Sequence, residues 1–210
     1  VPTSCLITDM SQVLGHSVGN AIEVKECINF LIKPENANLR LVELTIELAA
    51  HMLQLSGIES NLEAARLKSQ DALTSGKAAA IFEQMISALG GPNDLLEKSH
   101  KYLVPMPIIR PIVSNSSGYV SEMDVRAIGL SMIHLKAGRT RSSDPIDHGV
   151  GLSDIVEIGQ WIDKGEALAI AHTRDTDQLN YLQETIPEVI SLGSKRIEPP
   201  TLIHEILSSN

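Results

Sequence analysis

The run Thr8-Asp9-Met10-Ser11-Gln12-Val13-Leu14-Gly15-His16-Ser17-Val18-Gly19-Asn20-Ala21-Ile22-Glu23-Val24-Lys25-Glu26 holds the chain's densest set of groups able to do chemistry. An apolar stretch precedes it, two glycines punctuate it, and a helical pattern with Glu23, Lys25 and Glu26 follows. Strand, glycine-bearing loop and helix in that order is how open sheets present ligand-binding groups at the carboxyl ends of strands. The same order also serves an ordinary strand–turn–helix joint, with Gly15 and Gly19 answering backbone geometry alone. The two glycines fit neither G-x-G-x-x-G nor a P-loop, so they give phosphate binding little support.

Two other groups invite a chemical reading. Arg139 and Arg141 with Asp144 and Asp147 form either an anion site or a salt-bridged loop, and an exposed ion pair contributes little. The seven histidines show no H-x-x-x-H spacing, and His172, at the end of an apolar run, reads as a structural histidine with its hydrogen bonds met. Cys5 and Cys27 lie in no C-x-x-C, which predicts reduced thiols and a cytoplasmic protein rather than a disulfide framework.

The elements that must position these groups follow from periodicity. Residues 3–8 read as a short buried strand and Ala21 to Ile32 as a helix stopped by Pro34. Asn36 or Asn38 caps a helix from Leu39 to Leu55, apolar on most faces and so expected to be buried in a larger domain. Further helices are predicted from Ser60 or Asn61 to Gly76, over Lys77–Leu89, and briefly over Asn93–His100. Pro105, Pro107 and Pro111 then forbid helix, and a domain boundary is placed between about 102 and 116. Beyond it, the pattern predicts a strand over Gly118–Met123, a helix over Met123–Leu135, and strands over Ile155–Ile158 and Ala167–His172. A hairpin-like connection, Gly159–Gly165, joins those last two strands. Helices near Asp177–Ile186 and Pro200–Leu207 complete it.

Composition narrows the function classes. Of 210 residues, 43% are hydrophobic and 20% charged, as in ordinary globular proteins. The net charge of −9 disfavours nucleic-acid partners, and no apolar run approaches the length of a membrane span. Val1-Pro2-Thr3 leads straight into an apolar run, which reads as the start of a fragment.

The loop motif resembles the stretch found midway along thymidine and pyrimidine-nucleoside phosphorylases. The resemblance extends to Ser117-Gly118-Tyr119-Val120-Ser121-Glu122-Met123-Asp124-Val125-Arg126-Ala127-Ile128-Gly129, to Ala137-Gly138-Arg139, and to Asp144-Pro145-Ile146-Asp147-His148-Gly149-Val150-Gly151. It implies a pentosyltransferase that cleaves thymidine or deoxyuridine with phosphate, giving the base and 2-deoxyribose 1-phosphate. It implies a homodimer for the full-length enzyme, inorganic phosphate as co-substrate, and no cofactor needed for the chemistry. The family's Lys- and Ser-rich phosphate loop and its pyrimidine-gripping Arg/Ser/Lys set match no residue here. They are expected upstream of Val1, so that this chain holds no catalytic residue and is inactive alone. One site carries over: a monovalent cation, potassium or sodium, held by the backbone carbonyls of Leu14 and Ser17 and the side chain of Glu26. Position 17 is Ser where the family often has Ala. Without the resemblance, Glu26 reads as a solvated helix residue.

A second resemblance competes. Gly159-x-x-Ile162-x-x-Gly165-x-x-Leu168 is similar to the hairpin of biotinyl and lipoyl carrier domains, but the turn that would hold their modified lysine, Ala171–Asp175, has none. The expected fold is therefore α/β over 1–110, the tail of a larger phosphate-binding domain, followed by an α+β domain over 111–210 with hammerhead or barrel-like strands. Alternatives are a sibling phosphorylase acting on nucleoside monophosphates and a non-catalytic barrel-like binding module.

Overall fold

The structure, a computed structural model, describes residues 2–208. Val1 and Asn210, the outer ends of the two expected domains, lie outside the described residues, as does Ser209.

The described residues form a mixed helix-and-sheet structure. The chain separates into two compact units that are not consecutive halves. One comprises the chain up to Asp9, Cys27–Ser99 and the chain from Thr201 onward; the other comprises Met10–Glu26 and His100–Pro200. A linear division near 110 therefore differs from the observed one at both ends: the glycine-bearing loop goes with the second unit and the C-terminal segment with the first.

The first unit pairs β1 (Ser4–Thr8) antiparallel with β8 (Ile203–Ser208). The helix expected near Pro200–Leu207 is this strand instead. Ile203, Ile206 and Leu207 form too short a run for periodicity to decide, and β1 supplies the partner that does. The unit also contains the end of α1 (Asn20–Ile32), a short 3-10 turn at Pro34–Asn36, α2 (Leu39–Leu55), α3 (Leu62–Thr74) and α4 (Lys77–Ala88). Asn38 caps α2 by accepting from the Arg40 and Leu41 amides, and Asn61 caps α3 by accepting from Ala64. Gly76 takes the left-handed conformation between α3 and α4, with φ 79°. The short helix expected over Asn93–His100 forms later, as α5 (Ser99–Tyr102).

The apolar helix α2 buries polar groups alongside apolar ones. Among its residues Glu47, Ala50 and His51 are buried, whereas Leu39 is 83% and Met52 64% exposed. The buried polar groups are held by charge. The Arg66 guanidinium donates to both Glu47 oxygens, Nε to Oε2 at 2.6 Å and Nη2 to Oε1 at 2.7 Å. His51 Nε2 lies 3.2 Å from Glu47 Oε1, and its Nδ1 lies 3.1 Å from Ser4 Oγ. This knot ties β1, α2 and α3 together. A second, half-buried pair, Arg40 Nη2 to Asp9 Oδ2 at 2.8 Å, fastens the start of α2 to the end of β1.

The second unit holds two three-stranded antiparallel sheets. One has the order β2-β6-β4, from β2 (Ile108–Val113), β6 (Ala167–Thr173) and β4 (Gly151–Ser153). The other has the order β5-β3-β7, from β5 (Trp161–Ile162), β3 (Gly118–Met123) and β7 (Ile190–Gly193). Helices α6 (Val125–His134) and α7 (Thr176–Val189) complete it. Both sheets are open, and no described strand closes a barrel. Pro111 sits inside β2, which tolerates it because β2 is an edge strand. A bulge between Val120 and Glu122 shifts the phase of β3, so that Met123 joins Gly118 and Val120 on the buried side. One apolar core, including Ile112, Ile128, Leu152, Ile162, Leu168 and Leu182, runs through both sheets and both helices.

The Gly159–Gly165 connection contains β5, which pairs with β3 in the other sheet. The expected strand Ile155–Ile158 is irregular: its Val156 amide donates to Leu168 O in β6 at 3.1 Å, while its Ile155 and Ile158 amides donate to the Met10–Gly19 loop. The Ala171–Asp175 stretch is the end of β6 running into α7, capped by Asp175.

Replacing Arg66 by Ala strands the buried Glu47 and is expected to lower stability by about 2 kcal/mol at neutral pH. The Arg66 hydrogen bonds hold the Glu47 carboxyl below its usual range. The pair's contribution is thus present above the unfolded carboxylate value and is lost as pH falls through the depressed one. Urea unfolding of both proteins across the acid range should show the two stabilities converging at low pH.

Candidate functional site

The loop that opens the sequence argument is fastened to the second unit along its length. Val18 and Leu152 exchange backbone hydrogen bonds at 2.9 and 2.8 Å, and the Ile155 amide donates to His16 O at 3.0 Å. Gln12 is buried, and its Oε1 accepts from the Ile158 amide at 3.0 Å. Gly19 adopts φ 133°, and a Cβ there would stand 2.6 Å from Val150 O, so this glycine meets both a backbone angle and a close approach. Asn20 Nδ2 donates to Ala137 O at 2.8 Å, which attaches the start of α1 to the loop after α6.

Glu26 is not a freely solvated helix residue. Its carboxylate folds back over the loop, Oε1 accepting from the His16 amide at 2.7 Å. A Cβ on Gly15 would lie 2.6 Å from Oε1 and 2.8 Å from Oε2, so the absence of a side chain at 15 is what admits the carboxylate. Glu23, one turn earlier, is pushed above its usual value by partial desolvation and by the Glu26 carboxylate. His16 reaches Ile155 O through Nδ1 at 3.2 Å, and its Nε2 lies 3.5 Å from Glu157 Oε1. Leu14 is half-buried and Ser17 buried. The structure thus places the Glu26 carboxylate over Gly15 and the His16 amide, in the turn that Leu14 and Ser17 flank in sequence. Three or more His, Cys, Asp or Glu side chains arranged to hold a metal occur nowhere among the described residues.

The remaining candidates separate. The Asp144 carboxylate is turned onto its own loop, accepting from the Thr140 and Arg141 amides at 3.2 and 2.7 Å. Asp147 pairs with Arg174, Nε to Oδ2 at 2.5 Å, a partner the sequence argument did not name, and that bond holds its carboxyl low. Arg139 donates Nε to Asp144 O at 3.1 Å. His172 Nε2 lies 2.9 Å from Ser153 Oγ, which in turn donates to Asp154 Oδ2 at 2.9 Å. Burial, and secondarily the charge of Lys25, push the His172 imidazole below its usual value. Asp154 carries φ 51°, the left-handed region, which nothing in its sequence context signals.

Fold and site together define an α+β domain of two open antiparallel sheets, to which a glycine-bearing loop and the start of a helix are tightly bound. Residues 119–193 match the family model described as the pyrimidine nucleoside phosphorylase C-terminal domain. The C-terminal portion of the chain therefore carries the C-terminal domain of that family of glycosyltransferases. No helix among the described residues is long and apolar enough to cross a membrane.

The two loop glycines are expected to respond differently to alanine. Gly19→Ala forces a β-carbon into backbone and should lower stability by about 2 kcal/mol or more. Gly15→Ala meets only the end of the Glu26 side chain, so the melting temperature should move little while the His16 amide loses its protection. Thermal melts paired with amide hydrogen exchange check both.

Proposed function

We propose that this chain is the C-terminal half of a thymidine or pyrimidine-nucleoside phosphorylase, a cytoplasmic enzyme of nucleoside salvage. Its reaction is phosphorolysis of thymidine or deoxyuridine to free base and 2-deoxyribose 1-phosphate. The match of residues 119–193 to the family's C-terminal domain is the observation that carries this reading. The Ser121-Glu122-Met123-Asp124-x-Arg126 and Gly138-Arg139…Asp144-x-x-Asp147-x-x-Val150-Gly151 features favour the thymidine type over a sibling acting on nucleoside monophosphates.

In this reading residues 1–110 are the tail of the phosphate-binding α/β domain and 111–210 the C-terminal domain. The transition state resembles an oxocarbenium ion, so catalysis consists largely of placing phosphate and stabilising the departing base. The groups that do so belong to segments outside this chain, which contributes no catalytic side chain. Phosphate and a pyrimidine deoxynucleoside are the partners, neither nucleic acid nor a membrane is one, and the full-length enzyme works as a homodimer.

The chain's own contribution is half of a cation site. Leu14 O, Ser17 O and the Glu26 carboxylate would hold potassium or sodium, since carbonyl and carboxylate oxygens suit hard cations. Support comes from the Glu26 carboxylate folded over Gly15 and from the local negative potential it shares with Glu23. The cation would balance charge beside the bound phosphate. His16 and Gly15 position Glu26, the first by donating its amide proton and the second by leaving room.

Intact mass of the protein from its source, paired with a thymidine cleavage assay, tests the reading. The expected result is a mass near twice that of this chain, with thymine released only when phosphate is present, and no release by the 210-residue polypeptide alone. Phosphorolysis by the 210 residues would overturn the placing of the catalytic groups elsewhere. In the whole enzyme Glu26→Gln should weaken apparent potassium affinity by about tenfold or more, measured as activity against potassium concentration.

A further inference from the structure

A cavity of about 630 Å³ opens at the end of α6, lined by Leu130, Ile133, His134, Lys136, Thr140 and Asp144 among others. This is the size range of small-molecule sites. Its walls are prepared. The His134 ring stacks on Tyr181, with centroids 4.0 Å apart and planes 22° apart, which gives a rigid flat surface. Leu130 is 55% and Ile133 39% exposed, an apolar face left uncovered beside it.

The lining carries one cation, Lys136, and Arg139 and Arg141 lie close to it in sequence. Lys136, Arg139 and Arg141 fall within six residues of a chain whose net charge is −9. None of the three is in an ion pair among the described residues. The acidic lining residue, Asp144, turns its Oδ2 onto the Thr140 and Arg141 amides. The Lys136 ammonium, the Thr140 hydroxyl and the His134 imidazole are the other polar side-chain groups of the lining.

Lys136 also sits where glycine would be cheaper. It closes α6 with φ 67°, its amide bonded to Ile133 O and the Ala137 amide to Met132 O, each at 2.9 Å. A left-handed residue at this position is usually Gly. The strained turn is held from both sides, by the Asp147 amide on Lys136 O and by Asn20 Nδ2 on Ala137 O. A left-handed lysine held by its surroundings at the rim of a cavity motivates asking what its side chain does.

We propose that this cavity binds a small organic anion with a flat apolar body, its charge on Lys136 and Thr140 and its body against His134, Leu130 and Ile133. The inference does not rest on the phosphorylase reading, and it is tested by binding rather than by turnover.

The experiment is an NMR titration of the chain with phenyl phosphate, with inorganic phosphate and benzyl alcohol titrated in parallel. Saturable shifts are expected at Leu130, Ile133, His134 and Thr140, with phenyl phosphate binding more tightly than either half-probe. Lys136→Gln should weaken binding by about tenfold, the loss of one charge-assisted hydrogen bond. Lys136→Gly should weaken it as much while raising the melting temperature, because it relieves the left-handed strain. A purely structural Lys136 would not couple those two changes. Absence of shifts at these residues with millimolar phenyl phosphate overturns the proposal. So does unchanged affinity in both variants, or equal affinity for inorganic phosphate or benzyl alcohol.

Discussion

The close approach of two backbones at Gly19 and Gly151 governs the second unit. A β-carbon on Gly19 would meet Val150 O and Gly151 Cα, and one on Gly151 would collide with Val18 O. With no side chain at either position, Val18 and Leu152 can exchange hydrogen bonds. From that pairing follow the His16 bond to Ile155, the Gln12 bond to Ile158, and the seating of Ile22 against Gly151. Met10–Glu26 is thereby part of the second unit although the residues on both sides of it belong to the first.

This seating also fixes the turn that leads into Glu26. A loop anchored only by its flanking strand and helix would be free to rearrange. Here its backbone is fixed by bonds to 152, 155 and 158, so the Glu26 carboxylate meets a preformed turn over Gly15. The same attachment reaches the far loop, where Asn20 holds Ala137 beside the strained Lys136.

The first unit follows a different logic. Its most apolar helix, α2, buries Glu47 and His51 and leaves Leu39, Leu48 and Met52 exposed. Its packing against α3 and β1 is organised by a bidentate ion pair rather than by an apolar stripe. Such a pair contributes direction more than free energy, because desolvating it offsets much of its attraction. Removing one partner, by contrast, is costly.

Local signals sufficed where a residue acts through its own backbone or its near neighbours. Asn38 and Asn61 cap helices because their short side chains reach amides two or three residues on, and α2 and β3 occupy the spans that periodicity assigns to them. The phosphorylase motifs were legible too, since they are contiguous strings. What the sequence could not decide involves partners far along the chain. Whether Ile203–Ser208 is helix or strand depended on β1, nearly two hundred residues earlier. That Ile155–Ile158 pairs with β6 only through Val156 depended on Gln12 and His16 taking its other donors. The Asp147–Arg174 pair, the Ser153 contact with His172, and the left-handed Lys136 and Asp154 belong to the same class. Hydrogen-bond donors, carboxylates and backbone angles are satisfied by whatever the fold brings within about 3 Å, and one-dimensional order does not record that distance.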